Sequence, residues 1–250
     1  MKKDKNLVKK DVNLEKKDKH TWKWRVGVFV FITLLLSIFY SLYKVIITPE
    51  TIENATVGTH IRSDYILILL QCILGLIVMS LPSFLKKHLS FELPNSMCIV
   101  YFLFLYCSIY LGDVQNFYYI IPHWDTILHG FSGIMLGALG FSLVKILNDS
   151  EHVNLVMSAG FICLFAFCFA LACGAVWEIY EFSADILFGL NMQTHSLEDG
   201  TALMGIEALK DTMYDLIIDS IGALITVIAG WGSMKGKEYY RKKKIDKNKC

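Results

Sequence analysis

Charged residues are scarce in this chain, where they make up 19% of 250 residues, compared with about 25% in a typical soluble protein. Hydrophobic residues make up 54%, and they occur in long blocks separated by short polar segments. This composition excludes a disordered chain, a nucleic-acid-binding domain and an ordinary cytosolic enzyme. The formal net charge of +1 conceals an uneven distribution, because lysines collect at the two ends and acidic residues in the second half.

Several motifs that identify common enzymes and metal sites are also missing. The chain has no Gly-rich phosphate loop, no G-x-S-x-G nucleophile elbow and no H-E-x-x-H zinc motif. Its seven cysteines include no C-x-x-C pair, and six of them lie inside apolar blocks. Free cysteine in such surroundings behaves as a small hydrophobic residue. We therefore interpret these cysteines as packing residues, and not as a disulfide framework or a zinc site.

Six apolar blocks are long enough to cross a membrane, which takes about 20 residues of helix. The sequence therefore predicts an all-α, polytopic transmembrane helix bundle of about six helices, and a multi-pass protein of the cell membrane. The first block follows a basic stretch, but no small-residue cleavage site comes after it, so we interpret it as a retained anchor. The blocks are approximately 24–45, 65–85, 97–121, 126–147, 155–182 and 213–231.

The distribution of lysine and arginine predicts the orientation of the bundle, because cytoplasmic segments carry the excess of these residues. Both ends of the chain are basic, as are the connections that hold Lys86, Lys87 and Lys145. An even number of spans then places both termini in the cytoplasm and the loops 46–64, 113–125 and 182–212 outside. The predicted parts are a basic cytoplasmic tail (1–23), a six-helix transmembrane domain (24–232, with its polar-site core at 113–232) and a second basic cytoplasmic tail (233–250).

Seven ionisable side chains lie at the ends of the last three blocks, where charged groups are costly and indicate function. Within each block they are three or four residues apart, which places them on one helix face. In the predicted orientation all three groups fall at one level, the outer half of the membrane. The candidate catalytic residues are Asp125, His129, Glu178, Glu181, Asp215 and Asp219; the candidate metal ligands are His129, Glu178, Glu181, Asp211, Asp215 and Asp219.

Six carboxylates against one histidine cannot all be ionised in one cavity. Either several stay protonated or a cation lies among them. Oxygen ligands with one imidazole suit magnesium, manganese, calcium or zinc, so the expected cofactor is a divalent metal ion of open identity. Proton or cation conduction is another interpretation. A third is that the polar groups only hold packed helices together, at about 0.6–2 kcal/mol per pair.

Two further features surround these candidates. Small residues recur at intervals of three or four in the fourth and sixth blocks, which predicts close helix packing. The polar loop 186–210 is long enough to fold over the site, although a plain connector has the same appearance. The small residues are Gly133, Gly137 and Gly140, then Gly222, Thr226 and Gly230.

At these residues the sequence resembles two groups of bacterial membrane proteins, the YjdF-like inner-membrane family and, more loosely, the VanZ-like family. VanZ-like proteins show an aspartate and a histidine four residues apart, then a glutamate that ends the next helix, then an aspartate before a small-residue pair. The YjdF-like pattern adds a second glutamate and a D-T-x-x-D start. The counterparts here are Asp125 and His129, Glu178 and Glu181, then Asp211, Asp215, Asp219, Gly222 and Ala223.

The resemblance covers roughly residues 95–232, and it implies the polar site without implying a substrate. VanZ-like proteins are associated with tolerance of glycopeptide antibiotics. This chain has Thr126 where those proteins usually have a lysine, and Asp219 where asparagine is common. Both differences make the site more acidic here.

The sequence therefore predicts an integral membrane protein with an acidic, cation-binding site near its outer face. An enzyme built this way is expected to act on lipid or lipid-linked head groups, because a bound ion polarises a phosphate or ester oxygen. His129 or a protonated glutamate would then act as acid or base. The alternatives are a proton- or cation-coupled transporter and a non-catalytic structural membrane protein. The expected partners are the lipid bilayer and a lipid head-group substrate, with no nucleic acid.

Overall fold

The computed structural model describes the backbone of residues 2–50, 60–89, 91–149, 157–197 and 201–247. Side chains are described for residues 21–50, 60–88, 91–144, 147, 157–197 and 201–236. Across these residues the structure is helical, and its extended pairing is limited to an isolated bridge between Ser196 and Ala202. The helices are α1 (Lys2–Ile47), α2 (Arg62–Met79), α3 (Leu81–Leu89), α4 (Asn95–Leu105), a π-helix (Tyr106–Val114), α5 (Phe117–Ile120), α6 (Trp124–Asp149), α7 (Ala159–Phe188) and α8 (Ile206–Lys247).

Six helical segments among the described residues are long and apolar enough to cross a membrane, which confirms the predicted all-α, multi-pass membrane fold. Large hydrophobic side chains such as Phe39, Ile77 and Leu187 are exposed on them. Apolar surface of this extent is expected where lipid surrounds the helices. The segments are Thr21–Ile47, Arg62–His88, Asn95–Val114, Trp124–Val144, Ala159–Phe188 and Ile206–Gly236.

The second and third spans differ from the continuous helices that the sequence predicts. The second span consists of α2 and α3 with a break at Ser80, because Pro82 lacks a backbone N–H and is favoured in the first turn of a new helix. The third span does not continue to Ile121. It ends at Val114, and Asn116 follows in the left-handed conformation with φ 66°, which asparagine adopts more readily than most residues.

The fifth span is longer than the sequence predicts. It begins after Ser158, whose hydroxyl accepts a hydrogen bond from the backbone N–H of Phe161 at 3.2 Å, and it continues to Phe188. Gly189 ends it in the left-handed conformation with φ 66°, the usual role of glycine after a helix. Glu178 and Glu181 therefore lie within α7, and not at its end as the sequence predicts.

The chain divides into two compact units, Met1–Trp124 and Asp125–Cys250. In the first unit, α1, α2, α4 and the π-helix share one apolar core. The sequence-based division into two tails and a single domain over 24–232 stays a prediction. The buried residues of the core are Val30, Leu34, Tyr65, Ile68, Cys72, Cys98, Phe102, Leu105 and Ile109.

In the second unit, α6, α7 and α8 approach closely where small residues face each other. A Cβ added at Gly133 on α6 would lie 2.3 Å from the carbonyl oxygen of Asp219 on α8, and one at Gly222 would lie 2.4 Å from the carbonyl oxygen of Gly130. A Cβ at Gly140 would lie 2.8 Å from Cα of Ala166 on α7. The small-residue stripes seen in the sequence therefore lie at helix contacts.

All six cysteines within the described residues are free. Five of them are buried or half-buried, which agrees with a role in packing. Cys168 is exposed on α7, and Cys250 lies outside the described residues. The buried or half-buried cysteines are Cys72, Cys98, Cys107, Cys163 and Cys173.

Candidate cation-binding site

The imidazole ring of His129 lies at the centre of a polar cluster in the second unit. His129 stands near the start of α6 and is 6% exposed. Its Nδ1 lies 3.3 Å from Oδ2 of Asp219. Its Nε2 lies 3.8 Å from Oδ1 of Asp125, and 4.0 Å from both Oε1 of Glu178 and Oδ2 of Asp215. Three helices therefore contribute carboxylates to one ring, which requires α7 to run antiparallel to α6 and α8 within this unit.

Asp219 is held in place from several sides. Its side chain is 2% exposed, and its Oδ1 accepts a hydrogen bond from the Ser132 hydroxyl at 2.7 Å. Gly174 on α7 leaves room for the carboxylate, because a Cβ there would lie 2.4 Å from Oδ2. Neither contact is predicted from the sequence. The available signal for Ser132 was its spacing of three residues from His129, which places the two on one face of α6.

The oxygens that face Nε2 of His129 are too distant for direct hydrogen bonds, which span about 2.7–3.2 Å. Ligand atoms of Asp125, His129 and Asp215 all lie within 4.8 Å of one another. Two ligands of one cation, each about 2.0–2.6 Å from it, are at most ~4–5 Å apart. The three side chains therefore have the spacing of ligands around a single ion.

Glu178 contributes a buried oxygen without a hydrogen-bond partner among the described residues. The residue is 4% exposed, and this oxygen, Oε1, is the atom that lies 4.0 Å from Nε2 of His129. Its other oxygen, Oε2, lies 3.3 Å from Nε2 of Gln193. A buried acceptor that lacks a partner costs about 1–3 kcal/mol. A cation between Oε1 and the imidazole would remove that cost.

The connection between α7 and α8 contacts the same end of the unit. Gln193 reaches Glu178, and the Thr194 hydroxyl donates a hydrogen bond to Oδ2 of Asp211 at 3.0 Å. Thr194 has φ 47°, an uncommon conformation for a β-branched residue. The described part of this loop thus touches acidic residues on both helices that it joins. Residues 198–200 of the loop lie outside the described residues.

Asp185, near the end of α7, anchors this connection. Its carboxylate accepts hydrogen bonds from the backbone N–H groups of Met192 at 2.7 Å and Gln193 at 3.0 Å. Nδ1 of His195 lies 3.4 Å from the same carboxylate. Asp185 is not among the candidates predicted from the sequence, although it continues the acidic face of α7 four residues after Glu181. Its role here is to place Gln193 against Glu178.

Two of the sequence candidates lie at the edge of the cluster. Oε1 of Glu181 accepts a hydrogen bond from the Trp177 indole nitrogen at 2.8 Å, and Asp211 is bound by Thr194. Among the described contacts, neither carboxylate is paired with His129. The structure therefore brings Asp125, Glu178, Asp215 and Asp219 to the imidazole, and holds Glu181 and Asp211 by other partners.

Comparison with known proteins agrees with this architecture. A family model described as a predicted membrane protein, DUF2238, matches residues 54–236. The chain belongs to this family of membrane proteins. An uncharacterized protein of Thermotoga maritima is 26% identical over 161 residues, which cover 64% of this chain and 74% of that protein. No solved structure matches.

The matched region of the DUF2238 family contains the whole acidic cluster, since it extends from residue 54 to residue 236.

The negative charges of the cluster outnumber its positive charge. An imidazolium carries a single positive charge, whereas four carboxylates lie within 4.0 Å of this ring. Among the described residues, no lysine or arginine forms an ion pair with any of the four. The excess negative charge has to be removed by protons or by a bound cation.

Proposed function

We propose that this protein binds a divalent cation within the membrane, between Nε2 of His129 and the carboxylates of Asp125, Asp215 and Glu178. The observation that supports this most directly is Oε1 of Glu178, which is buried, has no hydrogen-bond partner among the described residues and faces Nε2 across 4.0 Å. Carboxylate oxygens with one imidazole suit magnesium, manganese, calcium or zinc. The spacing of the ligand atoms, within 4.8 Å for three of the residues, agrees with one shared ion.

We propose further that the protein is an enzyme that uses the bound ion to act on lipid or lipid-linked head groups. Ile127 and Ile179, beside the acids on α6 and α7, are 56% and 63% exposed, so apolar surface that suits lipid adjoins the cluster. Asp125, with a side chain 42% exposed, is the ligand that a head group would reach first. A bound ion polarises a phosphate or ester oxygen. Glu181, held by the Trp177 indole, is available as the general acid or base.

A second candidate function is proton- or cation-coupled transport. Asp211, Asp215 and Asp219 follow one face of α8 over about 12 Å, and a row of carboxylates along a membrane helix is a usual feature of ion relays. Catalysis and transport can be distinguished in vesicles, because only catalysis changes the lipids.

If the protein is an enzyme, its reconstitution into vesicles of defined phospholipids should change their lipid composition, as measured by mass spectrometry. Ion flux without any lipid product would favour the transporter.

Metal analysis is the direct test of the cation proposal. Protein purified in detergent and dialysed against metal-free buffer should retain about one divalent ion per chain, because ligands from three helices enclose it. Inductively coupled plasma mass spectrometry gives the stoichiometry and the element. Glu207→Gln is a matched control, since Glu207 lies on α8, is exposed and pairs only with Lys210 among the described residues. A wild-type protein that holds no ion at added micromolar metal contradicts the proposal.

The family match agrees with the resemblance to YjdF-like proteins, and we propose that relationship as the closer one. The resemblance to VanZ-like proteins has no such support and remains a prediction.

An alternative in which the cluster is purely structural predicts that its acids can be neutralised without loss of any binding or activity. The substitutions proposed below separate that alternative from the cation site.

The orientation of the bundle is also proposed, on the distribution of lysine. Lys86 and Lys87 lie in the last turn of α3, on the side where the basic ends of the chain are expected. A reporter that is active only in the cytoplasm should therefore be active when fused after Arg241. Activity only of an exported reporter at that position would place the acidic cluster in the cytoplasmic half of the membrane.

A further inference from the structure

We propose that Asp219 is a positioning residue for His129, which it holds so that Nε2 faces the cation. This inference rests on the cation site proposed above. From the sequence, Asp219 is one of the candidate ligands. Its contact with the imidazole is made at Nδ1, whereas Asp125, Glu178 and Asp215 face Nε2.

The hydrogen-bonding chemistry of the ring supports this assignment. An ionised carboxylate can only accept a hydrogen bond, so a proton shared with Asp219 belongs on Nδ1. In the neutral imidazole, Nε2 then has a free lone pair. Metal-binding histidines commonly donate their second ring N–H to a carboxylate, which fixes the tautomer and the ring orientation. Asp219 stands 3.3 Å from Nδ1 in that relation to His129.

The surroundings of Asp219 explain why it can fix the ring. The backbone of Asp219 is held against Gly133, where a Cβ would come within 2.3 Å of its carbonyl oxygen. Its carboxylate lies between Gly174 of α7 and the hydroxyl of Ser132. Contacts on all these sides leave the carboxylate little freedom to turn. Ser132 therefore belongs to the same positioning device, through its 2.7 Å hydrogen bond to Oδ1.

Asp219→Asn separates the positioning role from the role of a ligand. The asparagine oxygen can accept from Nδ1, and its amide can donate to Ser132, whose hydroxyl also lies 2.8 Å from the carbonyl oxygen of His129. The variant thus retains the contacts and loses the charge. Using Mn²⁺ as the probe, we expect its affinity to fall about 10–100-fold, the usual effect of changing an outer partner of a ligand. Asp215→Asn removes a ligand and should lose more.

A magnetic-resonance signature distinguishes positioning from a general structural effect. Imidazole bound to Mn²⁺ gives a ¹⁴N coupling in pulsed electron paramagnetic resonance. We expect this coupling in the wild type, in Asp219→Asn and in the control Glu207→Gln. Asp219→Leu should lose it, because nothing then holds Nε2 towards the ion. If Asp219→Leu does not fold, Ser132→Ala is measured instead. For that variant we expect a several-fold loss of Mn²⁺ affinity.

Three results would overturn the inference, and they differ from one another. Complete loss of Mn²⁺ binding in Asp219→Asn, equal to that in Asp215→Asn, makes Asp219 a direct ligand. Unchanged Mn²⁺ affinity in both Asp219→Asn and Ser132→Ala removes any positioning role. A wild-type protein that binds no Mn²⁺ and no other divalent ion contradicts the proposed function itself, and the inference falls with it.

Discussion

Replacing His129 with glutamine should abolish divalent-cation binding. The imidazole is the nitrogen donor of the cluster, and its Nε2 is the point that the carboxylates of Asp125, Glu178 and Asp215 face at 3.8–4.0 Å. Changing an outer partner of a ligand costs 10–100-fold in affinity, so loss of the ligand itself should cost more than about 100-fold. The affinity is measured by titrating the protein in detergent with Mn²⁺ and using electron paramagnetic resonance to distinguish the free from the bound ion.

His195→Gln is the matched control for this substitution. His195 lies in the loop between α7 and α8 and is 48% exposed. It contacts Asp185 near the end of α7, and not the carboxylates that face Nε2 of His129. It should bind Mn²⁺ within about twofold of the wild type, since no proposed ligand is altered. Equal binding by His129→Gln and the wild type would remove the imidazole from the site. Gel filtration and circular dichroism check that both variants remain folded.

Gly133→Ala should destabilise the second unit although it adds a single methyl group. The new Cβ would lie 2.3 Å from the carbonyl oxygen and 3.0 Å from the carbonyl carbon of Asp219. These are backbone atoms of α8, so the clash cannot be relieved by rotating a side chain. The helices have to separate, which also draws Asp219 away from His129. Overpacking costs about 1–3 kcal/mol where side chains can adjust, and we expect at least that loss in the free energy of unfolding.

The control for this prediction is Gly232→Ala, on the far part of α8. An added Cβ at Gly232 meets no heavy atom within 4 Å, and alanine favours a helix over glycine by about 1 kcal/mol. Thermal unfolding in detergent should therefore show a lower midpoint for Gly133→Ala and an equal or higher one for Gly232→Ala. Equal stability of the two variants would mean that α6 and α8 do not pack at Gly133.

The transmembrane architecture was predictable because hydrophobic length is a local property. Each span needs about 20 apolar residues, and the six blocks of the sequence correspond to the six spans of the structure. Details that depend on a few residues were less predictable. The third span stops at Val114 and not at Ile121, and the fifth continues past Glu181 to Phe188, because Asn116 and Gly189 adopt left-handed conformations that hydropathy does not report.

The candidate site was predictable only as a set of residues. The period of 3.6 residues per turn places Asp211, Asp215 and Asp219 on one face of α8. This spacing makes all three equally good candidates for the site. The structure distinguishes them, since Asp219 faces Nδ1 of His129, Asp215 faces Nε2 and Asp211 is bound by Thr194. These differences depend on how far α8 is rotated and shifted along its axis relative to α6. No short sequence pattern predicts that rotation or shift.

The sequence is enough to predict a multi-pass helical membrane protein with ionisable groups on three of its helices, because hydrophobic runs and helical spacing are properties of single segments. Which atoms meet depends on how the helices pack against one another. The structure places Oε1 of Glu178, which has no hydrogen-bond partner among the described residues, opposite Nε2 of His129, and it adds Ser132, Gly174 and Gln193 to the cluster. Contacts between helices depend on where their backbones approach, and here Gly133 and Gly174 at that approach constrain the position of Asp219 beside the histidine.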